Sequence, residues 1–244
     1  MRIPRRKLCW IACLTRHAYT PVIYSAVRKE WRTFFHPESM TSSNHASVLA
    51  LTTLPLADLR DRLLDLFCEV AYKEGDFTLS SGQKSTYYIN GKQVTLHPAG
   101  GVMVGRLLLE HLPAEAIAVA GLTLGADPMV SGVSIVGAYS DRPITPLIVR
   151  KAAKGHGTQA YIEGPTLPSG TTVVVLEDVV TTGQSAWQAV ERLRGAGYTV
   201  NTILALVDRQ QGGAEFYQSK DLNFAALFSI ADIKSRYAQQ TSRS

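Results

Sequence analysis

The sequence predicts an α/β fold: a parallel sheet flanked by helices, with a small N-terminal hairpin and a flexible loop. Three observations carry that expectation. Apolar runs at 116–120, 144–150, 172–176 and 200–207 have the length of strands buried on both faces. Segments with helical apolar spacing separate them, so the crossovers are right-handed and the strands parallel. A polar stretch at 151–159 interrupts the alternation where a strand ends.

Each element follows in order. Leu56, Leu59, Leu63, Leu64, Phe67, Val70 and Ala71 recur at helical spacing, with Pro55 near the start and Gly75 as the expected stop. Residues 77–90 form two short extended runs around Ser80-Ser81-Gly82 and predict a hairpin. Pro98 opens a helix through Leu112, and 116–120 follows as a strand. A loop at 121–128 leads into a helix to about Val136, then the strand 144–150. Beyond the polar stretch lie the strand 172–176, a helix from Ser185 to Arg194 closed by Gly195 and Gly197, and the strand 200–207. In such a sheet ligands bind at the carboxyl ends of the strands. The segments 121–128, 150–158 and 177–185 therefore matter most.

With 244 residues and 45% hydrophobic content, the chain has material for one catalytic domain plus an appendage. The net charge of +5 divides unevenly: residues 1–46 hold eight Lys/Arg against two acids, leaving 17 basic and 18 acidic residues in 47–244. A near-neutral body argues against nucleic acid as a partner. The first 46 residues show no sustained period. Their Arg-rich, acid-poor composition is compatible with an organelle transit peptide, and 8–14 faintly with a secretory signal, although no small-residue cleavage site follows. The plainer expectation is a disordered extension, or a start left untranslated because synthesis begins at Met40, with the catalytic domain in 47–244. A run of about 18 apolar residues, the length a spanning helix requires, does not occur, so no membrane association is expected. Three cysteines cannot form a disulfide framework. Cys68, beside Leu64, Phe67 and Ala71 on an apolar helix face, reads as a buried reduced thiol and points to the cytoplasm.

The strongest chemical signal is the segment Val173-Val174-Val175-Leu176-Glu177-Asp178-Val179-Val180-Thr181-Thr182-Gly183-Gln184-Ser185: a buried strand ending in two acids, then a hydroxyl-rich turn opening a helix. Unpaired amides and the positive dipole end of a helix suit a phosphate dianion; Gly183 permits close backbone approach, and Thr181, Thr182 and Ser185 add hydroxyl donors. Adjacent carboxylates can accept hydrogen bonds from vicinal sugar hydroxyls or stabilise positive charge developing at an anomeric carbon. A capping box with an acidic turn is the competing reading. The second signal is Arg150-Lys151-Ala152-Ala153-Lys154-Gly155-His156-Gly157, three cations and an imidazole on a glycine-flanked loop. Such a loop can close over a departing polyanion and exclude water. A solvated surface loop is the competing reading.

Together these segments resemble type I phosphoribosyltransferases, whose thirteen-residue motif binds phosphoribosyl pyrophosphate (PRPP), and in particular orotate phosphoribosyltransferases. Their loop reads Arg-Lys, two residues, Lys, one residue, His, Gly. The hairpin, from Phe77 to Ser85 and Tyr87-Tyr88-Ile89-Asn90, also resembles this family, and the similarity spans about 55–233. The resemblance implies a type I phosphoribosyltransferase-like sheet with a hairpin hood and a catalytic loop. It implies that PRPP is bound by Arg150, Lys151, Lys154, His156, Glu177, Asp178, Val179, Val180, Thr181, Thr182, Gly183, Gln184 and Ser185. Lys154, His156 and Asp178 are the implied catalytic residues, and Thr181 and Arg209 the implied orotate contacts. It also implies a homodimer whose loop reaches into the neighbouring subunit's site. Mg²⁺ would be held by PRPP oxygens and water rather than directly by protein, since the sequence shows no His/Cys ligand cluster. Many members carry a lysine where Ser80 stands here and another where Gly125 stands; both are absent, and Lys84 and Lys92 are the lysines that could supply charge instead, against a competing reading as solvated hairpin lysines.

Arg209, in Val207-Asp208-Arg209-Gln210-Gln211-Gly212-Gly213, has the planar fork that suits orotate's carboxylate, against a competing surface pair with Asp208. A purine-base transferase and a non-catalytic PRPP-sensing regulator remain as alternatives. The hairpin, the loop and Arg209 discriminate against the first, and the full set of loop residues against the second. The polar tail is expected to leave no room for a fused decarboxylase, so the product, orotidine 5'-monophosphate, would pass to a separate enzyme of pyrimidine biosynthesis.

Overall fold

The carbonyls of Leu51 and Leu54 both accept from the Arg106 guanidinium, at 2.6 and 2.8 Å, and this ties the start of the body to its second layer. In the computed structural model the described residues are 48–78, 82, 84–153 and 161–242. The expected extension 1–46, Ser80 and the loop residues Lys154 and His156 lie outside them.

Helix α1 (Leu56–Leu66) buries Leu59, Leu63, Leu64 and Leu66, continues as a π-turn through Ala71, and passes directly into β1 (Tyr72–Thr78). Gly75 therefore does not stop a helix. It lies inside β1 at φ 149°, where the register against β2 (Lys84–Ile89) shifts between Glu74 and Phe77. Helical spacing ends at Ala71, and the polar residues that follow satisfy their backbone by pairing in a hairpin whose bulge takes the glycine. A short helix α2 (Lys92–Thr95) precedes α3 (Pro98–His111), where the Nδ1 of His97 accepts from the amides of Ala99 and Gly100. After β3 (Ala118–Leu122), α4 (Asp127–Tyr139) crosses α3 so closely that a Cβ on Gly105 would stand 2.8 Å from the Gly132 carbonyl oxygen.

The remaining elements are β4 (Thr145–Val149), β5 (Ile162–Glu163), β6 (Val173–Val180), α5 (Gln184–Gly195), β7 (Thr202–Asp208), α6 (Gly213–Gln218), β8 (Asn223–Ser229) and α7 (Ile230–Thr241). The six-stranded sheet runs in the order β5-β4-β3-β6-β7-β8, parallel except for β5. The α/β class and the parallel sheet flanked by helices are thus as the sequence predicts. Side chains alternate between two apolar layers: Val119, Val174, Leu176, Leu204 and Leu206 face the layer of α1, α3 and α4, while Ala120, Val175, Ile203 and Ala205 face α5 and α6. Covering both faces explains the uninterrupted apolar runs.

Strand β6 is longer than its apolar run. It pairs with β3 only as far as Val175 opposite Ala120, but stays bonded to β7 through Val180 opposite Asp208. The two acids therefore sit within the strand rather than after it, beyond the last residue that pairs with β3. Among the described residues no helix is long and apolar enough to cross a membrane.

Candidate active site

Glu177 and Asp178 are only 7% and 9% exposed, and an unpaired buried charge is costly, so their surroundings decide their state. Asp178 Oδ1 accepts from the amide of Val179 at 3.0 Å. Two glycines make room for its carboxylate: a Cβ on Gly125 would stand 2.6 Å from Oδ1, and one on Gly91 3.1 Å from Oδ2. The start of α2 and the loop after β3 thus converge on one side chain. Glu177 has a different environment, since its Oε2 is buried without a hydrogen-bond partner. Burial first, and then the adjacent Asp178, hold its carboxyl well above the usual carboxylate range, with the Lys151 ammonium pulling the other way.

That shift has a sign. An unfolded chain releases a glutamate proton near pH 4.3, while folded Glu177 keeps its proton to higher pH, so stability falls as pH rises through the interval between the two. Glu177→Gln removes this dependence. The variant is expected to melt several degrees above the wild type at pH 8, with the difference closing toward pH 5 in thermal melts; a constant difference would show that the Glu177 proton is not the cause.

Past the acids, Thr181 is half-buried and Thr182, Gln184 and Ser185 lie at or near the surface. Gly183 takes the left-handed conformation at φ 85°, directly before α5, and no side chain caps the first amides of that helix. The turn rests on two rings, because a Cβ on Gly183 would stand 2.8 Å from Tyr217 Cε1 and 2.9 Å from Phe216 Cδ1. Tyr217 is fully buried and its hydroxyl has no partner.

At the end of β4, Arg150 forms an ion pair with Glu163 at 3.2 Å, and its amide donates to the Tyr161 carbonyl at 2.7 Å. Lys151 is exposed. Arg192 of α5 donates to the carbonyls of Arg150 and Lys151, and its guanidinium lies 4.2 Å from the centre of the Tyr161 ring. The root of the cationic loop is thereby tied to the helix that opens at Gly183. On the neighbouring strand, Arg209 donates from its amide to the Val180 carbonyl at 2.9 Å and from Nε to Tyr87 Oη at 3.1 Å. Asp208 accepts from the Gln210 amide at 2.8 Å instead of pairing with Arg209. Arg209 Nη2 is buried without a partner, an available donor beside the hairpin.

Among the described residues, the structure thus gathers Glu177, Asp178, Thr181, Thr182, Gly183, Gln184, Ser185 and Arg209 at the carboxyl ends of β6 and β7, with Lys151 near enough to Glu177 to act on its charge. Arg150 points into its pair with Glu163. Lys84 reaches Thr78 Oγ1 at 2.9 Å within the hairpin, and Lys92 is exposed on α2. Sequence reasoning missed Tyr87 as the partner of Arg209, Arg192 as the anchor of the loop root, and Gly91. Tyr87 stood within the quoted hairpin motif; nothing in the sequence singled out the other two.

A scan against protein-family models finds no match. Relatives are nevertheless close. The chain is 66% identical over 187 residues to the orotate phosphoribosyltransferase of Nostoc sp., covering 77% of this chain and 91% of that protein. It is 65% identical over 194 residues to the orotate phosphoribosyltransferase of Synechocystis sp., covering 80% and 98%. Its fold is similar to the crystal structure of Mycobacterium tuberculosis orotate phosphoribosyltransferase in complex with PRPP, with a TM-score of 0.61 and 32% identity over 72% of this chain and 99% of that one.

Proposed function

The chain belongs to the orotate phosphoribosyltransferases, and from that membership we propose how its own residues perform the transfer from PRPP to orotate that yields orotidine 5'-monophosphate and pyrophosphate for pyrimidine biosynthesis. One observation carries the residue-level reading. Val180 and Asp208 are register partners on adjacent parallel strands, so the turn that follows one and the arginine that follows the other open side by side.

In this reading the first amides of α5 and the hydroxyls of Thr181, Thr182 and Ser185 hold the 5'-phosphate of PRPP. The carboxyls of Asp178 and Glu177 hold the ribose hydroxyls, and Asp178 offsets positive charge at the anomeric carbon as its bond to pyrophosphate breaks. Arg209 orients orotate through its free Nη2, with Thr181 as second contact, so that the ring nitrogen faces that carbon. Lys151, Lys154 and His156 stabilise the leaving pyrophosphate, and Arg150 contributes once it exchanges Glu163 for phosphate oxygen.

The donor set around this site is hard carboxylate and hydroxyl oxygen, which fits Mg²⁺ carried on PRPP oxygens and water. When bound, Mg²⁺ would neutralise part of the pyrophosphate charge. The reading further includes a homodimer whose loops are exchanged between sites, a catalytic domain in 47–244 that needs nothing from 1–46, and a cytoplasmic location in keeping with the buried free thiol of Cys68.

Loss of orotate absorbance on adding PRPP and Mg²⁺ tests the reaction directly. Turnover is expected to vanish with a chelator and to be equal for the full chain and for a chain begun at Met40. A tight Mg²⁺ site found by calorimetry before PRPP is added would oppose the substrate-borne metal, and loss of turnover in the shorter chain would oppose the domain assignment.

A further inference from the structure

Two cations meet on the ring of Tyr87. The Arg209 guanidinium carbon lies 4.9 Å from the ring centre and its Nε bonds the phenol oxygen, while Lys234 Nζ lies 4.5 Å from the same centre. Their convergence follows from the sheet. β7 and β8 are in register so that Asp208 stands beside Ser229, and the capping box of Ser229 and Asp232 fixes the start of α7, which carries Lys234 just over one turn along. Residues following two neighbouring strand ends thus arrive at one hairpin side chain.

A ring face offers each cation modest attraction, whereas two like charges crowded on one side chain repel. Among the described residues neither Arg209 nor Lys234 forms an ion pair; the nearby Arg236 takes Asp61 and Asp65. Lys234 is exposed and Arg209 keeps a buried donor free, so both remain available to an anion. We propose that Lys234 is a second cation of the base site, acting with Arg209 to hold a ring that carries a carboxylate. This rests on the reading of Arg209 as the orotate anchor.

The test is steady-state kinetics of Lys234→Met, Lys234→Arg and Arg209→Met with orotate and PRPP varied in turn. Lys234→Met is expected to raise KM for orotate about tenfold, the equivalent of about 1.4 kcal/mol, while KM for PRPP stays within about twofold; Lys234→Arg is expected to recover most of the loss. An unchanged orotate KM in Lys234→Met beside a raised one in Arg209→Met would overturn the proposal and leave the base site standing. Parallel rises for both substrates in Lys234→Met would reduce Lys234 to a structural contact of Tyr87 and also overturn it. If Arg209→Met leaves orotate KM unchanged, the base-site reading itself fails.

Discussion

Mixing Lys154→Ala subunits with Asp178→Ala subunits is expected to restore turnover to about a quarter of the wild-type level, because random exchange makes about half the dimers hybrid and each hybrid holds one intact site of two. Each parent alone is expected to be nearly inactive. Removing a cation that strengthens its hold only as pyrophosphate departs lowers kcat far more than it weakens ground-state PRPP binding, by about 10²-fold or roughly 2.7 kcal/mol. Asp178 is proposed for the other half of the same event: it is buried, its Oδ1 accepts from the Val179 amide, and Gly91 and Gly125 lie against its carboxylate. A hybrid site draws an intact loop from one chain and an intact acidic strand from its neighbour. The measurement is orotate consumption after subunit exchange has been verified by mass. Absence of recovery would reject loops shared between subunits, and unchanged kcat in both Lys154→Ala and His156→Ala would reject the catalytic loop.

Gly183→Ala is expected to raise KM for PRPP about 10²-fold, equivalent to about 2.7 kcal/mol. Two effects add. The left-handed conformation at φ 85° costs a residue with a Cβ about 1 kcal/mol. The new carbon would also stand within 3 Å of both Tyr217 and Phe216, rings packed against each other and against Trp187 and Phe224. Such a floor does not yield, so the turn must lift and the first amides of α5 lose their common aim. Kinetics with PRPP varied, accompanied by a melt several degrees lower, would bear this out; an unaltered KM would dissociate the turn from phosphate binding.

Much of the sheet was legible because a strand covered on both faces must be apolar throughout, as 173–176 and 203–207 are. The segment 173–185 was legible because it is contiguous, its strand, acids, turn and helix following one another without interruption. What escaped depends on distant partners. Tyr72 to Asp76 carry no apolar alternation, since most of β1 is exposed on both sides, and their strand exists only because β2 lies beside them. β6 extends through its acids because β7 accompanies it, a fact of pairing rather than of composition. Ser229 and Asp232 did announce the start of α7, a serine followed three residues later by an acid, and the signal went unused. That Arg209 and Lys234 share Tyr87 is legible only in three dimensions, since 122 residues separate Arg209 from that ring.

The glycine roof over Asp178 also constrains what position 125 can hold. In this background any side chain at position 125 would press first on the Asp178 carboxylate, whose Oδ1 and Cγ would lie 2.6 and 2.9 Å from the added carbon. A terminal carboxylate can swing aside where a packed core cannot, so the burden falls on its aim and not on the fold. Positions 125 and 178 are therefore coupled: a side chain added at 125 is felt at the Asp178 carboxylate before it is felt by the fold.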